Sequence, residues 1–151
     1  MRFKIQEFTY NEETGVSTML AVCKYGELRS EVKCHESDKD VQNHWDGYRF
    51  CEYKITLQFM KCRIAELAAR ANGAQDAAYT VYKNMERNGQ LTQCAYETLL
   101  AIERQADGYY KEWVKARDRY NELKDHYKEW CDGWLNDRRA LRSKYATAEE
   151  E

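Results

Sequence analysis

Tyr79, Tyr82, Lys83 and Arg87 precede an Asn88-Gly89 pair in this chain, and Arg104 and Asp107 follow it within a few helical turns. Their chemistry is complementary. Tyrosine stacks on a flat heterocycle, and asparagine offers a paired donor and acceptor. Arginine or lysine meets phosphate, and aspartate accepts from hydroxyls such as those of ribose. If the chain bends at Asn88-Gly89, then Tyr79, Lys83, Arg87, Asn88, Arg104 and Asp107 gather at one tip, the types a nucleotide-like ligand needs. A second basic group, Arg49, Lys54, Lys61 and Arg63, lies earlier in the chain, where it could line a pocket between subunits. Taken singly, each charge is most plainly part of a solvated helix face. Only the clustering argues for binding.

Catalytic patterns are missing from the sequence. There is no glycine-rich phosphate loop, no H-E-x-x-H, no G-x-S-x-G and no deaminase signature. His35, His44 and His126 are far apart in sequence, and His126 reads as a solvated side chain. Carboxylates on charged helices usually pair at i,i+4, as Asp107 would with Lys111. Six cysteines (Cys23, Cys34, Cys51, Cys62, Cys94 and Cys131) are scattered without a C-x-x-C pair, so they read as buried or incidental thiols. Cys34 beside His35 lacks two further ligands at chelating spacing for a metal. The expectation is a binding protein, neither an enzyme nor a carrier of a cofactor.

Those side chains must be held by something. Charged residues are 33% of the 151 and the formal charge is −2, far from the basic excess of a general nucleic-acid binder. No segment is a polyanion, so mimicry of DNA is disfavoured as well. No apolar run approaches the ~20 residues of a membrane span, and "MRFKIQEFTY" alternates where a signal peptide would be a solid apolar block. The expected setting is cytoplasm. Residues 1–35 read as a three-stranded antiparallel β-meander: Phe3 and Ile5 alternate with charges, "NEETG" turns at Gly15, and two further strands break at Tyr25-Gly26. "HESDKD" then ends the pattern with capping residues and a turn.

From residue 46 the period changes. Phe50, Tyr53, Leu57, Met60, Ile64, Leu67, Ala71, Ala74, Ala78, Val81 and Met85 keep strict 3,4 spacing, which predicts one long helix over 46–86. A second seam runs through Ala95, Leu99, Ile102, Ala106, Tyr109, Trp113, Ala116, Tyr120, Leu123, Tyr127, Trp130 and Trp134, predicting a helix over 91–146. The chain has no proline to interrupt either. Folding them together at Asn88-Gly89 opposes residues whose numbers sum to about 180, and small side chains then often face large ones. The rings in "YYKEWVKARDRYNELKDHYKEW" thus read as core, with Tyr110 one position off the seam and freer to meet a ligand. Beyond 136 the second helix overhangs the first. Leu141 and Tyr145 there, with Arg138, Arg139, Arg142 and Lys144 around them, argue for a homo-oligomer that covers them. Residues 147–151 read as a disordered tail. The predicted fold is therefore α+β: one domain, an N-terminal three-stranded antiparallel β-meander followed by a long antiparallel two-helix coiled-coil hairpin, oligomeric.

The order "KIQEFTYNEETGVSTM", "KYGELRSEVKCHESDKD" and "GYRFCEYK", leading into a helical hairpin, resembles the first of the two described types of phage-encoded Thoeris anti-defence protein. The resemblance covers about residues 4–54 in sequence and the remainder in layout. It implies a sheet that pairs across a dimer and is followed by two long helices, a hexamer in some members, and a protein of the host bacterial cytoplasm. Such a protein sequesters a cyclic ADP-ribose isomer, or a cyclic oligonucleotide at a separate site, without cleaving it, and so blocks TIR-domain immune signalling. Aromatic, asparagine, arginine and aspartate side chains form that family's pocket, which nominates Tyr79, Asn88, Arg104 and Asp107 by type and order. A helical-hairpin inhibitor or adaptor that binds a host defence protein directly is the alternative, and a phage scaffold coiled coil comes third.

Overall fold

The computed structural model describes residues 2–34, 44–89 and 92–149, and the side chains of Arg139 and 141–149 are not among those described. The turn expected over "HESDKD" and the covering of Leu141 and Tyr145 lie outside the described residues. The elements in chain order are β1 (Phe3–Asn11), β2 (Val16–Cys23), β3 (Gly26–Lys33), α1 (His44–Asn88) and α2 (Gln93–Glu149). The layout is the expected α+β one, with an antiparallel sheet of order β1-β2-β3. Helix α2 continues to Glu149, past the end predicted at 146. The chain divides into two compact units, Met1–Phe59 with Asn121–Glu151, and Met60–Tyr120.

In the first unit β1 keeps its apolar residues on one face of the sheet through a bulge. Phe3 and Ile5 are two apart, but the next apolar residue, Phe8, is three further on, which in a regular strand would point it the other way. The register shifts between Ile5 and Glu7, leaving Gln6 extra. Phe3, Ile5, Phe8 and Tyr10 therefore all share a face with their partners Cys23, Ala21, Met19 and Ser17. Asn11 Oδ1 accepts from the amides of Glu13 (3.0 Å) and Thr14 (3.1 Å), and Gly15 takes a positive φ of 68°, closing the β1–β2 turn.

Helix α1 covers this face with a stripe that the heptad seam does not contain. Cys51 and Ile55 are fully buried on it, and Met19 and Ala21 are equally buried beneath. Ser17, Ala21, Ser30 and Cys51 are small, which lets the helix axis come close. The Ser30 hydroxyl donates to the Cys51 carbonyl (3.1 Å), and the Cys51 thiol donates to the Ser17 carbonyl (3.5 Å). Phe59 meets Phe3 and Tyr25 at ring separations of 5.9 and 5.6 Å. The free edge of β3 is partly satisfied from the same helix, one turn apart. Lys54 Nζ donates to the Glu31 carbonyl (3.1 Å) and Gln58 Nε2 to that of Arg29 (2.8 Å).

The other side of α1 meets α2 within this unit. Phe50 lies 4.7 Å from Trp130, 5.4 Å from Trp134 and 6.4 Å from Tyr127, centroid to centroid. Tyr53 stacks on Trp130 at 5.3 Å, and its hydroxyl is 3.0 Å from Nδ1 of His126, which is exposed as expected. The buried carboxylate of Asp46 accepts from Trp134 Nε1 (3.0 Å) and Arg138 (3.5 Å). The aromatic C-terminal half of "YYKEWVKARDRYNELKDHYKEW" is thus core, in the register that opposes residue 50 to 130 and 53 to 127.

In the second unit the same two helices form an antiparallel hairpin. Gly89, with φ 62°, ends α1 in the left-handed conformation that an Asn-Gly pair predicts. Thr92 caps α2, its hydroxyl accepting from the Ala95 amide (3.2 Å). Leu67, Ala71, Ala78, Leu99 and Ala106 are buried along the seam. The guanidinium of Arg70 lies 5.9 Å from the Tyr109 ring centroid, and Lys61 lies at the same distance from Tyr120, again in the predicted register.

Candidate ligand site near the hairpin turn

Ala78 and Ala106 are small and buried, so the second unit's helices approach closely there and leave the longer side chains beside the seam standing as walls. The result is a groove of about 430 Å³ lined by Gln75, Ala78, Tyr79, Tyr82, Leu99, Glu103, Ala106 and Asp107. Its floor is apolar. Two phenol rings from α1 and two carboxylates from α2 rise from it. Tyr79 is 64% exposed and Tyr82 46%, so both rings remain accessible. Asp107 does not pair with Lys111 as the i,i+4 spacing suggested, and neither Asp107 nor Glu103 is ion-paired among the described residues.

Tyr79 also bounds a neighbouring concavity of about 660 Å³, with Thr80, Lys83, Asn84, Glu86 and Arg87. Lys83 Nζ lies 5.7 Å from the Tyr79 ring centroid and 3.4 Å from Glu86. Tyr79, Lys83 and Arg87 are each four apart and so share a stripe of α1. One phenol ring therefore separates an acid-walled groove from a concavity carrying two cations.

Of the residues nominated from the sequence, the structure brings Tyr79 and Asp107 to the groove and Lys83 and Arg87 to the concavity beside it. Asn88 is the exposed last residue of α1, and Arg104 is exposed on α2 outside both linings. Arg49 is exposed in the first unit, where Lys54 is engaged with the edge of β3. Lys61 and Arg63 belong to the second unit, Arg63 paired with Glu66 at 3.1 Å. Gln75 and Glu103 complete the groove without having been nominated. Their i,i+4 spacing to Tyr79 and Asp107 was the available signal.

The thiols and phenols of the core are poorly disposed to react. Burial pushes the Cys51 thiol up, against smaller lowering contributions from the Ser30 hydrogen bond and Lys54. Burial also raises Cys131, and, together with the neighbouring Cys131, it raises the Tyr127 phenol strongly. Among the described residues no three His, Cys, Asp or Glu side chains are grouped to hold a metal ion, and no helix is long and apolar enough to cross a membrane. No protein-family model, curated protein or solved structure matches the chain.

Proposed function

We propose that this protein is a sponge for a nucleotide signal. It binds a cyclic ADP-ribose-type molecule near the hairpin turn and holds it without cleavage, as a phage protein of the host cytoplasm that blocks Thoeris-like TIR signalling. The reading rests on the sequence resemblance. The structural observation that supports it best is Tyr79 standing between the carboxylate-walled groove and the concavity of Lys83 and Arg87. In this arrangement the base stacks on the phenol, Asp107 and Glu103 accept from hydroxyl or amino groups, and the two cations meet the pyrophosphate. Self-association would enclose these open walls and slow release, which sequestration requires.

Mixing the purified protein with cyclic ADP-ribose isomers and cyclic oligonucleotides, followed by ultrafiltration, tests this directly. The expected result is stoichiometric depletion of one ligand and its intact recovery on heating. Recovery of a cleaved nucleotide would make the protein an enzyme. Tyr79→Ala, or Lys83→Ala with Arg87→Ala, is expected to weaken capture about tenfold to a hundredfold at unchanged helicity.

The second reading, a hairpin that docks on a host defence protein, is favoured by Tyr96 and Tyr110. Both rings are more than half exposed on the second unit and lie outside both linings. Tyrosine at that exposure is a residue type enriched at protein interfaces. Absence of any ligand depletion, with one host protein retained on the immobilised chain and lost on Tyr96→Ala with Tyr110→Ala, would establish it.

A further inference from the structure

The groove and the concavity beside it differ in sign, and that difference specifies which part of a ligand each accepts. Glu103 and Asp107 contribute two carboxylates to the groove, and no Lys, Arg or His is among its lining residues. With no ion-pair partner among the described residues, both carboxylates are available to a ligand. Tyr79 and Tyr82 line the same groove, and an aromatic face attracts a cation, as Lys83 Nζ at 5.7 Å from the Tyr79 ring centroid illustrates. The floor of Ala78, Leu99 and Ala106 offers no hydrogen-bond donor from its side chains. Gln75 is the one neutral amide in the lining, so the two carboxylates set the sign of the groove, which disfavours phosphate and attracts a flat ring carrying positive charge. The volume, about 430 Å³, is in the range of small-molecule sites.

We propose that the groove is selective for a flat organic cation, specifically a heterocyclic base made cationic by alkylation or glycosylation of a ring nitrogen. This deepens the nucleotide reading of the site. The base enters the groove as a cation, and the phosphates lie on the Lys83 and Arg87 side of Tyr79. A ligand cyclised through a base nitrogen is preferred over one whose base stays neutral.

Phosphate-free probes isolate the groove from the concavity. Isothermal titration at low salt compares 1-methyladenosine, protonated at neutral pH, with adenosine, and 1-methylnicotinamide, permanently charged, with nicotinamide. The cationic member of each pair is expected to bind about tenfold more tightly, and the margin shrinks as salt screens the carboxylates. Glu103→Gln with Asp107→Asn removes the margin, while Lys115→Ala with Arg119→Ala, at exposed positions of α2 outside both linings, leaves it in place. Circular dichroism confirms that each variant keeps its helices. Equal binding of the two members, tighter binding of the neutral one, or no binding of any of the four at millimolar concentration overturns the inference. Capture of a cyclic ADP-ribose isomer without any nucleoside preference overturns the cation groove alone. A clear preference with no cyclic nucleotide captured supports the groove and removes the sponge.

Discussion

At the scale of single residues, Phe50 is the side chain on which the first unit's helix contact depends, since it touches Tyr127, Trp130 and Trp134 while only 8% exposed. Phe50→Ala is expected to cost about 3–5 kcal/mol, read by chemical denaturation. Titratable groups in the same region give the fold an alkaline limit. Burial raises Cys51, Cys131 and Tyr127, so the folded chain holds these protons to higher pH than the unfolded chain. Stability from them is complete below the unfolded values and falls once pH rises above about 9. Melting temperature followed from pH 7 to 11 checks the direction. With the same raised thiols shielded, alkylation at pH 8 is expected to reach exposed Cys94 well before Cys51 and Cys131, which peptide mass spectrometry resolves.

At the scale of elements, the long helices carry glycines with no structural need of them. Gly73 lies in α1 and Gly108 in α2, both exposed, and a methyl group at either would meet nothing within 4 Å. Gly73→Ala and Gly108→Ala should each stabilise the protein by about 0.5–1 kcal/mol, by restricting the unfolded chain. Gly89 is the opposite case. Its φ of 62° closes α1, and Gly89→Ala should destabilise by about 1 kcal/mol despite equally open surroundings. Urea titration of the three variants separates the two mechanisms by sign. The heptad seam was legible in full: every seam residue read from the 3,4 spacing is buried or half-buried. The stripe of α1 that carries Cys51 and Ile55 was not, because a helix packed on two sides has no simple apolar period to reveal the second.

At the scale of the whole molecule, self-association is the property the proposed function most needs. The face of β2 turned away from α1 carries Val16, Thr18, Leu20 and Val22, and Val22 is 39% exposed. Sedimentation is expected to show a dimer or hexamer, and Val22→Arg is expected to shift it towards monomers by placing an unpaired charge in that contact. A monomer at working concentration would leave the ligand walls open and the sponge reading without its slow release. The formal charge of −2 works in the same direction, because so small a net charge offers little repulsion between copies.

Sequence alone determined what depends on local rules. The meander, both helices, the turn at Asn88-Gly89 and the facing register each follow from a period or a turn preference within a few residues. Tertiary structure decided what depends on side chains far apart in the chain. It placed Gln6 in a bulge that returns Phe8 to the covered face, gave Lys54 to the β3 edge and His126 to Tyr53, and set Glu103 opposite Tyr79 in place of Arg104. Periodicity fixes which face of a helix is buried. It does not fix which flanking side chains stand across a groove, because that depends on how closely the two backbones approach, and here alanines at 78 and 106 set the approach.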